Sequence, residues 1–200
     1  LIFSINPFNI YPISSIGYIK LNLTHHSQPF VIKKIPVLNN DLICNALPRI
    51  DYSDAFLVEY IDSSNIAIET VAELFFNSSP VWARKLLIIR NALVGWMGLK
   101  TRLIAKDKER VSNLVIGQKI GLFRLFNRTE SALLFGENDK HLDVRMILKK
   151  ADQAITITTL IQFNNIWGKC YFKIVRIFHQ QIMKSQLKKV IRQLNIKKQM

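Results

Sequence analysis

Four short blocks of strand period between Gly117 and Phe163 run straight into a segment, Trp167 to about Leu194, that is too long for a strand and repeats its apolar residues at helical spacing. This junction limits the fold more than any other feature. Successive side chains of a strand point to opposite faces, so apolar residues at every second position mark a sheet with one face to bury. Leu142, Val144, Met146 and Leu148 form such a stripe, with His141, Asp143 and Arg145 on the other side. Turn residues at 127–130, 136–139 and 152–153 separate the blocks, so the strands are expected to be consecutive and antiparallel. A meander with one apolar face needs a cover. Phe172, Val175, Phe178, Ile182, Leu187, Val190 and Leu194 give the terminal helix a stripe to lay across it.

Upstream of the meander, Asp51-Tyr52-Ser53-Asp54 turns into a strand expected over 55–61, rich in β-formers. A helix over 66–76 carries Ile68, Val71, Ala72 and Phe75 on one side, and Pro80 opens a second helix over 81–96. A short helix over 38–47 ends before Pro48. Residues 1–35 read as an irregular N-terminal extension, and the fold is assigned to 36–196. The expected class is α+β: a curved antiparallel sheet wrapped on a long C-terminal helix, with two helices after the first strand.

With 200 residues, 49% of them hydrophobic and 21% charged, the chain has the composition of a globular domain and not of a disordered one. The formal net charge of +14 is the outlier. It concentrates at the end, because from Trp167 to Met200 there are nine Lys or Arg and no Asp or Glu. Two readings stand: a solvated helix face, or a weak contact with an anionic membrane, to which each cation near the surface adds about 1 kcal/mol. Nucleic acid is not expected as a partner, since no helix-turn-helix or zinc pattern and no interleaving of exposed aromatics with the lysines is visible. Cys44 and Cys170 match neither zinc-ligand spacing nor a redox pair and read as reduced core thiols, which favours the cytoplasm. Lys and Arg interrupt every apolar run in the body of the chain before it reaches membrane-spanning length. His25 and His26 lack a third metal ligand, and no Gly-x-Gly-x-x-Gly is present, so no cofactor is expected.

The candidate site residues carry two readings each. His141, Asp143 and Arg145 could form an acid/base site in which Asp143 charges His141 and Arg145 holds a carboxylate. The alternation of the strand favours the other reading, cross-strand ion pairs with groups such as Arg124 on a solvated convex face. His179, next to the apolar stripe of the terminal helix, is either a hydrogen-bonded core residue or a base. Tyr52, Asp54 and Glu59 either serve turn and edge roles or add polar groups to a cavity mouth. No Ser-His-Asp order or phosphate-binding loop supports a particular reaction.

In their order, five segments resemble the bacterial domain-of-unknown-function family DUF 2867. They are Asp51-Tyr52-Ser53-Asp54-Ala55-Phe56; Arg90-Asn91 with Gly98-Leu99-Lys100-Thr101; Ile120-Gly121-Leu122-Phe123-Arg124; Gly136-Glu137 with Asp139 to Arg145; and Gly168 with Tyr171-Phe172 and His179. The resemblance runs from about Leu38 to Ile191, and Val144 stands where the family commonly has an aromatic residue. It implies a build similar to the helix-grip, START-like or SRPBCC folds, whose members enclose apolar ligands or run cyclase and hydrolase chemistry. It also implies an NAD-binding-domain partner, since members occur fused behind such a domain. The expected function is therefore binding of a small apolar molecule between sheet and C-terminal helix. The alternatives are an enzyme of the same build and a peripheral membrane or lipid-handling module.

Overall fold

The computed structural model describes residues 30–38, 41–60, 66–83 and 114–197. Strand β1 (Ile32–Ile35) and strand β2 (Tyr52–Glu59) flank a single helical turn, α1 (Asp41–Cys44), and helix α2 (Ile68–Asn77) follows. Then come β3 (Lys119–Ile120), β4 (Phe123–Arg128), β5 (Ala132–Asn138), β6 (Leu142–Ala151), β7 (Ala154–Phe163) and the terminal helix α3 (Ile166–Lys197). The strands make one open seven-stranded sheet in the order β1-β2-β7-β6-β5-β4-β3, every neighbour antiparallel. The class is α+β, with a long C-terminal helix on an antiparallel sheet.

Three expectations change. The irregular stretch assigned to 1–35 ends in structure, because Ile32 to Ile35 pair with Val58 to Ala55; a four-residue Ile-Lys-Lys-Ile edge is too short to show a period. The strand expected over 117–126 is broken by Gly121, whose φ of +56° turns the chain back so that Ile120 faces Phe123. The helix expected over 38–47 shrinks to α1. The helix expected over 81–96 lies outside the described residues beyond Ala83, as does the extension before Phe30.

On one face of the sheet, α2 and α3 lie side by side over a core that includes Phe56, Phe135, Leu148 and Ile157 from the strands, Val71 and Phe75 from α2, and Leu187, Val190 and Ile191 from α3. The register explains the grouping, since Phe56, Ile157 and Leu148 are cross-strand neighbours on β2, β7 and β6. Gln186, buried on α3, donates to the Phe75 carbonyl (3.1 Å) and to Ser79 Oγ (3.1 Å), so the helices are joined by polar contacts as well as by packing. The opposite face is covered too. Ile43, Ala46 and Leu47 of the α1 region pack on Ala132, Leu134, Ile147 and Leu160. The solvated convex face expected beneath His141, Asp143 and Arg145 is therefore corrected: His141 and Arg145 are buried, at 7% and 6% exposure. The polar row of β6 gives way to Ile147 after Arg145, and β7 carries Leu160 on this face as well as isoleucines on the other.

The start of α3 is clamped to the β5–β6 turn. Asn165 caps the helix, its Oδ1 accepting the Gly168 amide (3.1 Å) while its Nδ2 donates to the Lys140 carbonyl (3.1 Å). Asn164 donates from Nδ2 to the Asp139 carbonyl (2.8 Å) and from its amide to the His141 carbonyl (2.9 Å). Gly168 rests directly on the His141 carbonyl, where a Cβ would collide with the oxygen. A glycine-to-alanine change inside a helix ordinarily stabilises by about 1 kcal/mol. Here the sign should reverse: Gly168→Ala is expected to cost about 1–3 kcal/mol by overpacking against backbone. Thermal unfolding checks it, and a melting temperature equal to or above that of the parent chain would contradict the seating.

Candidate functional site

Alternation along β2 sends Tyr52, Asp54, Phe56 and Val58 to the face that α3 covers. Asp54 pairs with Thr159 of β7, and both are buried under the helix, so a carboxylate has been taken from water into a largely apolar seam. That costs free energy unless partners are supplied. Tyr52 donates its hydroxyl to Asp54 Oδ2 at 2.6 Å, and Gln180 of α3 donates from Nε2 to the Tyr52 oxygen at 3.1 Å. His179 brings Nε2 to 3.5 Å from Asp54 Oδ1. This is the distance of a charge contact and too long for a good hydrogen bond, and neither atom has a hydrogen-bond partner among the described residues.

The electrostatics follow. Burial pushes the Asp54 carboxyl upward, but His179, the Tyr52 hydroxyl and Thr159 together outweigh it and hold the group below its ordinary range. Tyr52 is pushed up to about 12, by burial first and by the Asp54 carboxylate beside it second. The phenol thus stays a donor across the neutral range and the carboxylate an acceptor.

Tyr52 also forms one wall of an open cleft of about 500 Å³ at the N-terminal half of α3. Its ring meets Phe172 edge-on at 4.7 Å between centroids, and Phe163 lies 5.7 Å from Phe172. Lys169, Lys173 and Arg176 line the same cleft, with the Arg176 guanidinium 5.7 Å from the centre of the Tyr52 ring. Asp51 at the cleft edge is held by Arg49 at 2.8 Å, which keeps its carboxyl below the usual range.

Of the residues proposed from the sequence, Tyr52 and His179 come together here with Asp54. His141, Asp143, Arg145 and Arg124 do not join them. Arg145 lies across Gly136, where a side chain would strike its Cδ, donates to the Val144 carbonyl at 2.9 Å, and stacks 3.9 Å above Phe126. Phe126 is the extra residue of a bulge between Leu125 and Asn127. Burial lowers the affinity of this guanidinium for its proton, opposed by Asp143 and Glu137. His141 Nδ1 lies 3.0 Å from the capping oxygen of Asn165, and Asp143 Oδ1 accepts the Asp139 amide at 3.0 Å. Arg124 is exposed on β4, and Glu59 pairs with Lys33 at 2.8 Å. The expected core thiols are corrected as well, because Cys44 and Cys170 are both exposed, Cys170 on the cleft.

A model of the family described as "Protein of unknown function (DUF2867)" matches residues 46–186. The chain belongs to the DUF2867 family. No curated protein and no solved structure matches it. The part shared with DUF2867 contains Tyr52, Asp54, Thr159, His179 and Gln180, so the whole polar cluster lies inside the family region. Among the described residues of this DUF2867 member, no group of three His, Cys, Asp or Glu could hold a metal, and no helix is long and apolar enough to cross a membrane.

Two titrations test the cluster. Because the Asp54 carboxyl binds its proton less tightly folded than unfolded, its stabilising effect is whole above the ordinary value of 3.8 and is lost as pH falls through the lower folded value. Asp54→Asn should flatten the acid limb of stability against pH and cost about 1–3 kcal/mol at pH 7 through the half-satisfied partners. For Tyr52 the sign is opposite: its contribution is whole below pH 10.0 and is lost as pH rises through about 12. Ultraviolet titration of Tyr52→Phe should lack one tyrosine step near pH 12 that the parent shows, and an unchanged titration would contradict the assignment.

Proposed function

We propose that this chain binds a small, largely apolar molecule with an acidic group, at the seam between the sheet and α3. The observation that carries the reading is the cleft itself, with aromatic walls from Tyr52, Phe163 and Phe172 and three cations, Lys169, Lys173 and Arg176, at its lining. Its volume falls in the range of small-molecule sites, and apolar walls with a few convergent polar groups are their usual chemistry. Aromatic walls give affinity by area, while a guanidinium and two ammonium groups select a carboxylate over a neutral head. The Tyr52 hydroxyl connects this cleft to the buried carboxylate behind it, so that wall is fixed in orientation before a ligand arrives. The helix-grip arrangement, in which sheet and terminal helix share a ligand between them, is the build this reading adopts.

An enzyme of the same build would use the cluster behind the cleft and not the polar row of β6. Acid/base work at the cleft would fall to Tyr52 backed by Asp54 and His179, because these adjoin the aromatic wall, whereas Arg145 stacks on Phe126 of the far face and His141 is held at the cap of α3.

Displacement of a fluorescent fatty acid tests the reading. Medium-chain carboxylic acids should compete and the matching alcohols should compete at least about tenfold less well, the difference expected of one charge-assisted contact. Lys173→Glu with Arg176→Glu should abolish the preference. Equal competition by acid and alcohol would reject the acidic group, and no displacement by either would reject the site.

A further inference from the structure

We propose that the outer face of the N-terminal half of α3 docks the protein on an anionic lipid bilayer, the helix lying along the surface. Ile166, Trp167, Ile174 and Ile177 are each more than half exposed and Phe178 is 41% exposed. At about 100° per residue these five side chains, with exposed Cys170 among them, fall within one arc of about 120°. The arc lies away from the buried side of the helix, which carries Phe172, Met183, Leu187 and Val190. This corrects the expected stripe, in which Phe178 faced the sheet. A contiguous run of large exposed apolar side chains on one helix marks a surface with a partner.

Charge identifies that partner. Continued into the second half of the helix, the same arc carries Lys188 and Arg192, both exposed, with Lys184 at its edge over the Phe56 ring, and Lys173 adjoins it in the first half. There is no Asp or Glu anywhere from Asn164 onward. A helix with an apolar face, a tryptophan and cations beside them is built to lie at a headgroup boundary. An anionic leaflet satisfies both halves together, the apolar arc by burial and the cations by attraction. A second copy of the chain would bury the apolar arc but bring like charge against like charge in a protein of net charge +14.

The test is sedimentation of the full chain with sucrose-loaded vesicles of phosphatidylcholine, with and without about 30% phosphatidylserine, at low and high salt. Binding is expected only to the anionic vesicles, weakened as salt rises. Trp167→Ser with Ile174→Ser should weaken it about tenfold or more with melting temperature unchanged, since both side chains are exposed. Lys188→Glu with Arg192→Glu should weaken it about fivefold or more for each charge removed. Absence of binding at low salt overturns the proposal. So does binding that ignores the Trp167 and Ile174 changes, which would reduce it to general electrostatic attraction. Concentration-dependent self-association abolished by the same two changes would assign the face to a second copy and overturn it as well.

Discussion

The pairing of β2 with β7 holds the rest in place. β2 is separated from the meander by a long stretch of chain, yet it is zipped along its full length to the last strand, Tyr52 opposite Ile161 and Glu59 opposite Ala154. Closing so long a loop costs entropy before any contact repays it, and the repayment is visible in the register, which puts Phe56 and Val58 against Ile157 and Ile155 under the helices. The same register sets Asp54 beside Thr159. Because α3 begins a few residues after β7 ends, His179 and Gln180 are delivered over that spot by the geometry of the strand that precedes them. A slip of one residue in β2 would turn Tyr52 and Asp54 to the other face and leave His179 over apolar side chains.

The two faces of the sheet handle charge differently. On the α3 face a carboxylate is buried and answered by a phenol of its own strand and an imidazole of α3. On the far face a guanidinium is buried and answered by a backbone carbonyl and an aromatic ring, with Gly136 leaving the room. The second arrangement uses the weakly hydrated, planar character of arginine and would not serve lysine. It builds a structural fixture where the first builds a wall to a cleft. An acid, an imidazole and a guanidinium in alternating positions therefore look alike in sequence whether they form a site or a support, and only the face they occupy separates the two.

That is the limit of what could be read beforehand. The meander, α2, the C-terminal helix and the family were legible, because each rests on a period of two or 3.6 sustained over enough residues, or on several ordered segments. The position of Arg145 was not, since burial of its face depends on the α1 region folding back from a distant part of the chain. Asp54 carries a local signal, a carboxylate in phase with Phe56 and Val58 and with its donor Tyr52 two residues before it, but its other partners lie on β7 and α3 and no spacing announces them. The buried face of α3 is ambiguous in sequence for a different reason: in its first half apolar residues spread over about two thirds of the circumference, so Phe172 and Phe178 both fit the stripe although only Phe172 is buried.

This wide apolar spread also explains why one stretch of helix carries two proposed contacts. Where α3 runs beyond the packed core, Lys169, Lys173 and Arg176 occupy the direction that Leu187, Ile191 and Leu194 occupy further along. Exposed cations line the cleft there, where leucine and isoleucine pack on the core further along. Ile166 and Cys170 belong both to the cleft and to the exposed apolar arc. A bilayer lying against that arc would meet the cleft at its mouth, so an amphiphile could pass from leaflet to pocket without exposing its chain to water, the unfavourable step in any aqueous transfer.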